Sequence, residues 1–149
     1  MPSQAELARA RSAALEELVR QRFAAQLQAA LELADTERDV FGLARRAFAL
    51  AMPEHKVEML LADNSQAHLR ATASNGMTGR GCPVESPSSC AAVRRGQTMI
   101  FPDSEALDAC PKLRQRGAGP IGAVCTPVGV MGRTIGVIAN QPKVLAGTL

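Results

Sequence analysis

At Pro53 the hydrophobic pattern of this chain changes period, and that change limits the folds open to it. Before it, in a stretch over residues 5–34 without Gly or Pro, Leu15, Val19, Phe23, Leu27 and Leu31 recur every fourth residue, at the spacing of a helix stripe. After it, Val57, Met59 and Leu61 alternate with other residues, the spacing of a strand with one buried face. Helical patterns first and strand patterns after them predict an α+β domain, not an alternating βαβ one.

The helical part reads in two pieces. A helix of about 30 residues would extend about 45 Å at 1.5 Å per residue, longer than a small domain needs. Its stripe is therefore expected to meet a second copy of the chain or an adjoining module. Thr36 followed by Asp39 marks a helix start: the hydroxyl can accept from a free backbone N–H, and the acid favours the positive end of the dipole. The second helix runs to about residue 52, with Val40, Leu43, Ala44, Ala47, Phe48 and Ala51 on one face, and Pro53 ends it.

Five strands follow from the remaining pattern. Two pair across the turn Asn64-Ser65-Gln66, the second carrying Leu69, Ala71 and Ala73. Residues 75–83 form a Gly-rich loop. Ser86-Pro87 opens a helix of two or three turns that stops at Gly96, and residues 98–101 make a third strand halted by Pro102. Residues 103–122 form a long connection with one helical turn expected at 104–107. The runs 123–130 and 134–139 close a hairpin around Met131-Gly132-Arg133. The expected division is a signalling or dimerisation helix over 1–35, a sensory domain over 36–140 and a tail over 141–149.

Composition narrows the function classes. The 149 residues carry 46% hydrophobic side chains, enough for one core, and no run approaches the roughly 20 apolar residues of a membrane span. The N-terminus, with Ser3, Gln4, Glu6 and Arg9, lacks the apolar core of a signal peptide, so a cytoplasmic location is expected. The chain has neither Trp nor Tyr, and only Phe23, Phe41, Phe48 and Phe101 are aromatic, which leaves no stacking platform for nucleic acid. The formal charge of +3 arises within residues 53–149, since residues 1–52 balance seven basic against seven acidic groups. Arg94-Arg95 and the group Lys112, Arg114, Arg116 are its clusters, read as solvated faces.

The element order, with the strings Ser86-Pro87-Ser88-Ser89-Cys90-Ala91-Ala92-Val93-Arg94-Arg95-Gly96, Phe101-Pro102-Asp103, Val124-Cys125-Thr126-Pro127-Val128 and Gly132-Arg133-Thr134-Ile135-Gly136-Val137-Ile138, resembles the GAF family over about residues 36–140. The strings Cys82-Pro83-Val84, Cys90 and Leu107-Asp108-Ala109-Cys110-Pro111-Lys112-Leu113-Arg114 are similar to GAF domains that precede diguanylate cyclases in bacterial signalling proteins. The resemblance implies a mainly antiparallel five-stranded sheet with helices packed on it and a sensor joined to an output domain, and the long N-terminal helix adds the expectation of a homodimer. It places the ligand between the sheet and the short helix with its following loop, at Cys82, Cys90, Cys110, Cys125, Phe101, Asp103 and Leu107. No Gly-Gly-Asp/Glu-Glu-Phe string is present, so cyclase activity is not expected here. GAF domains usually add a final helix after the last strand, whereas Pro142 and a short tail stand here, which reads either as a shortened chain or as output through the N-terminal helix alone.

Three chemistries meet at that place. The first is redox sensing, with Cys90 activated at a helix start; against it, Cys90 and Cys125 have the neighbours of small buried apolar residues. The second is a metal site, but the cysteines are separated by seven, nineteen and fourteen residues, without a CxxC pair to preform half a site, and none is assigned. His55 and His68 read as surface residues. The third is an enzyme. Free methionine-R-sulfoxide reductases share the GAF fold, and Cys82, Cys90 and Cys110 match their cysteines in order, yet no Asp or Glu follows Asp108 to supply that family's acid. The expectation is a non-enzymatic sensor of a small effector or of redox state. The effector and any cofactor stay open, with Arg94, Arg95 or Arg114 available to a phosphate.

Overall fold

The computed structural model describes residues 1–116, 119–130 and 133–141, in two compact units, Met1–Leu43 and Ala44–Leu149. The first unit is helical. Helix α1 spans Gln4–Glu32 and starts at a capping box: the Ser3 hydroxyl accepts from the Glu6 N–H at 3.3 Å, and the Glu6 carboxylate accepts from the Ser3 N–H at 2.5 Å. None of its residues is buried, and Leu15, Leu18, Val19 and Leu31 of its apolar positions lie exposed. Helix α2, Glu37–Ala51, starts as the sequence predicts. Thr36 Oγ1 accepts from the Asp39 N–H at 3.2 Å, and the Asp39 carboxylate takes both the Thr36 hydroxyl and its N–H. No described helix is long and apolar enough to cross a membrane.

The second unit is built on one sheet. Strands β1 (Lys56–Ala62), β2 (Leu69–Ser74), β3 (Met99–Phe101), β4 (Ala123–Val130) and β5 (Arg133–Gln141) take the order β2-β1-β5-β4-β3, every pair antiparallel. Residues opposite one another in antiparallel strands share a face. Glu58 pairs with Ala139, Leu60 with Val137, Ala139 with Cys125, Cys125 with Met99, and Ala123 with Phe101, so these eight residues form one face. That face is the floor of the core, on which Val84, Cys90, Ala92 and Leu113 pack. Gly136 lets β5 lie close to β1, since a Cβ there would collide with the Leu60 carbonyl oxygen.

Three local expectations change. The alternation of β2 breaks at a bulge opposite Met59 and Leu60, where Thr72 turns its hydroxyl to the Met59 carbonyl at 3.2 Å. The helix expected after Ser86 is two pieces, a 3-10 turn over Pro87–Ser89 and helix α3 over Ala91–Arg95. Ser86 caps neither, because its hydroxyl donates to Ser89 Oγ at 3.1 Å. Gly96 ends α3 with φ 62°, its N–H bonded to the Ala92 and Val93 carbonyls. The helical turn expected at 104–107 lies instead at Leu113–Gln115. The β4–β5 hairpin forms, with Val130 opposite Arg133, while Met131, Gly132 and the tail from Pro142 lie outside the described residues.

Candidate functional site

All four cysteines of the chain line one cavity over the core face of the sheet. Each arrives from a different element. Cys125 comes from β4 and Cys90 from the residue before α3, with Cys82 in the Gly-rich loop and Cys110 in the β3–β4 connection. Val84, Ala92, Phe101, Val137 and Ala139 supply most of the remaining wall. The space is about 20 Å³, counted as positions a water's centre can occupy, which is room for one or two waters.

Loop 81–82 is fixed from below by a buried acid. Glu58, 7% exposed on β1, accepts a short hydrogen bond from the Cys82 N–H through Oε1. Gly81 makes this approach feasible, since a Cβ there would lie 2.6 Å from Glu58 Oε2. The strand alternation places residue 58 on the same face as residue 60, but the residue type gives no sign that it turns inward.

The β3–β4 connection is pinned at several points. Ser104, 1% exposed, accepts from the Ile121 N–H at 3.1 Å, and its carbonyl accepts from Arg114 Nε at 3.1 Å. Leu113 is 1% exposed and follows Cys110, whose carbonyl accepts its N–H at 2.9 Å. Arg116 closes the 3-10 turn with its N–H on the Leu113 carbonyl. In such a turn side chains three apart stand over one another, so Arg116 follows Leu113 inward. It is 4% exposed and lines the cavity, and its Nε and Nη1 find no acceptor among the described residues. A buried donor left unpaired costs about 1–3 kcal/mol, and more for a charged group.

Arg116 and burial act oppositely on the thiols. Burial pushes the Cys125 thiol up to about 12, with Arg116 partly opposing it. Cys82 is raised for the same first reason, and Arg116 again pulls the other way. Both are therefore held as neutral thiols near pH 7. Cys90 stands at the N-cap of α3, which has five residues and so offers little dipole for the activation expected of it. No group of three or more His, Cys, Asp or Glu among the described residues is disposed to hold a metal ion.

Of the residues expected at the site, Cys82, Cys90, Cys110, Cys125 and Phe101 share the cavity, whereas Asp103 and Leu107 do not. Asp103 is exposed and caps its own turn, accepting from the Glu105 N–H at 2.9 Å. Leu107 is fully exposed, because the turns at 103–109 carry it outward. Arg114, a candidate for phosphate, is used in the loop: besides Ser104, it faces the Glu105 carboxylate at 4.0 Å. Arg94 and Arg95 are exposed and line no part of the cavity.

No protein-family model matches this chain, and no curated protein matches it in sequence. Solved structures do match in shape. The GAF domain of an Acinetobacter phosphoenolpyruvate-protein phosphotransferase has a TM-score of 0.61 at 14% identity, over 85% of this chain and 78% of that one. The free methionine-R-sulfoxide reductase of Neisseria meningitidis, bound to its substrate, reaches 0.61 at 18% identity, over 83% and 73%. The GAF domain of A. aeolicus nlh2 reaches 0.58 at 14% identity, over 85% and 80%. The fold is GAF-like, an antiparallel five-stranded α+β sheet with helices, as the sequence strings imply.

Proposed function

We propose that this chain is a sensory module of GAF type, in which a small effector or an oxidant acting at the cysteine-lined cavity changes the module's conformation. The observation that carries this reading is the convergence of Cys82, Cys90, Cys110 and Cys125, from four elements, on one cavity with a buried cation. A purely structural role for the thiols needs no such gathering. The signal is a shift between two arrangements, as large as the ligand's difference in affinity for them. In this reading the output passes to an adjoining domain, for which the Cys82 to Arg114 strings favour a diguanylate cyclase, in the cytoplasm. The exposed Leu15, Leu18 and Val19 of α1 support a homodimer through that helix.

Mild peroxide followed by mass spectrometry tests the redox arm. A disulfide among Cys82, Cys90 and Cys110 that forms in the parent and is lost in Cys90→Ser supports it. Four unmodified thiols together with no ligand-induced change in melting temperature overturn the sensory reading.

The second reading is a free methionine-R-sulfoxide reductase, favoured by the placement of Cys82, Cys90 and Cys110 around one cavity. Such chemistry needs an acid at the substrate. Glu58, the buried acid on the core face, holds the Cys82 N–H and does not line the cavity, which weighs against it. Turnover of free methionine sulfoxide decides between the two.

A further inference from the structure

The guanidinium of Arg116 places a cation in the cavity wall. Four of the seven acids of its own unit are occupied elsewhere, and none of the seven forms an ion pair with it. Glu58 holds the Cys82 N–H, Asp103 holds the Glu105 N–H, Glu105 faces Arg114, and Asp63 faces His68 in the β1–β2 turn. Among the described residues Arg116 forms no ion pair, and Nε and Nη1 donate to nothing. Lys112 adds a second, half-buried cation to the same wall. Cys82 and Cys125 do not supply the missing negative charge, since burial keeps both as thiols.

The rest of the wall says what else the occupant must be. Val84, Ala91, Ala92, Phe101, Val137 and Ala139 offer no hydrogen bond from their side chains, and the Ser89 hydroxyl is already engaged with Ser86, so the part of a ligand beyond its charged end is mainly apolar. The volume of about 20 Å³ admits only a few heavy atoms unless the β3–β4 connection moves, which leaves out anything the size of a nucleotide. We infer that the cavity binds a small carboxylate or oxyanion whose charged oxygens accept from Arg116 Nε and Nη1. This deepens the sensory reading and rests on it. The anion replaces the missing partner of Arg116, and through Leu113 and Cys110 it steadies the connection that carries them.

The test titrates the full chain with sodium formate, acetate and nitrate in turn, in a sodium gluconate background of constant ionic strength, whose anion is too large for the cavity. Melting temperature and heat of binding are read. At least one of the three is expected to raise the melting temperature saturably, and Arg116→Met to weaken that binding by at least roughly tenfold. Without anion, Arg116→Met is expected to melt at or above the parent, because an unpaired buried charge has been replaced by an apolar chain of similar length. No saturable response to any of the three, or an equal response in the variant, overturns the inference.

A second measurement stands if Arg116→Met fails to fold. In the folded parent the Arg116 Nε–H resonance, read by nitrogen-15 NMR, is expected to shift saturably with the anion that binds. An unshifted resonance overturns the inference. Slower alkylation of Cys82 in Arg116→Met, with no anion effect in the parent, overturns it too and makes Arg116 a partner of a thiolate. A peroxide-induced disulfide without anion binding leaves the sensory reading intact and removes only this deepening of it.

Discussion

In the turn between β1 and β2, Asp63 accepts from the Ser65 hydroxyl at 2.7 Å and faces the His68 ring at 3.1 Å, and the His68 N–H adds a longer contact. In the connection between β3 and β4, Arg116 is buried with two donors that meet nothing among the described residues. The first charge lies at the surface with every local partner it needs. Its hydrogen bonds, chiefly that of Ser65, hold its carboxyl down to about 2. The second is a charge that the fold tolerates because other residues hold the loop. A short turn uses its ion to define itself, whereas the long connection is defined by apolar and backbone anchors and leaves its ion free for another task.

That account makes Leu113 the residue whose loss separates the two regions most. Leu113→Ala removes a fully buried side chain from the turn that positions Arg116, and is expected to lower stability by about 2–5 kcal/mol in urea unfolding. The anion response proposed above should weaken with it. A loss below about 1 kcal/mol would mean that the connection does not rest on this anchor, and that Arg116 is held by something else.

Ser104→Ala is the next step down. Its hydroxyl takes the N–H of half-buried Ile121, so removal leaves that donor without its partner and costs about 1 kcal/mol. Ser104 ties the start of the connection to Ile121 at its end, with Cys110 and Arg116 between them, so the variant distinguishes one cooperative loop from two independent halves. Faster amide exchange confined to residues near Ile121 would indicate halves. Faster exchange reaching Leu113 would indicate one unit.

The sequence made these two regions unequally legible. Strand alternation, the Pro53 stop and the Gly96 cap each rest on a local rule, and the sheet followed from them, although the core face of β1 carries Glu58 and Leu60, the residues between the apolar positions Val57, Met59 and Leu61. The Ser3-Gln4-Ala5-Glu6 capping box is equally readable, since Ser followed three residues later by Glu is its signature. Residues 103–122 have no period to follow. Inward and outward positions there depend on one turn of 3-10 geometry, so Leu107, apolar and expected inside, is exposed, while Arg116, charged and expected outside, is buried. Cys90 and Cys125, flanked by small apolar residues in the sequence, are themselves buried. What brought Cys82 and Cys110 beside them was the closing of the sheet, which single-residue chemistry does not encode.

The smallest effect lies in the satisfied turn and is read through pH. The Asp63 carboxyl titrates near 2 in the folded chain and at about 3.9 when unfolded, so the unfolded state takes up its proton first as pH falls. Its contribution is fully present above about pH 4 and is lost as pH drops towards 2, where the folded carboxyl is protonated as well. Asp63→Asn has no such titration. Plotting the urea midpoint of parent minus variant from pH 6 to pH 2 cancels the acids they share, Glu6, Glu17 and Asp39 among them, which are also lowered. The difference is expected to hold level down to about pH 4 and then to fall. A difference that stays constant over the whole range would show that the Ser65 and His68 contacts do not favour the ionised form, and the contrast with Arg116 would then lose its reference.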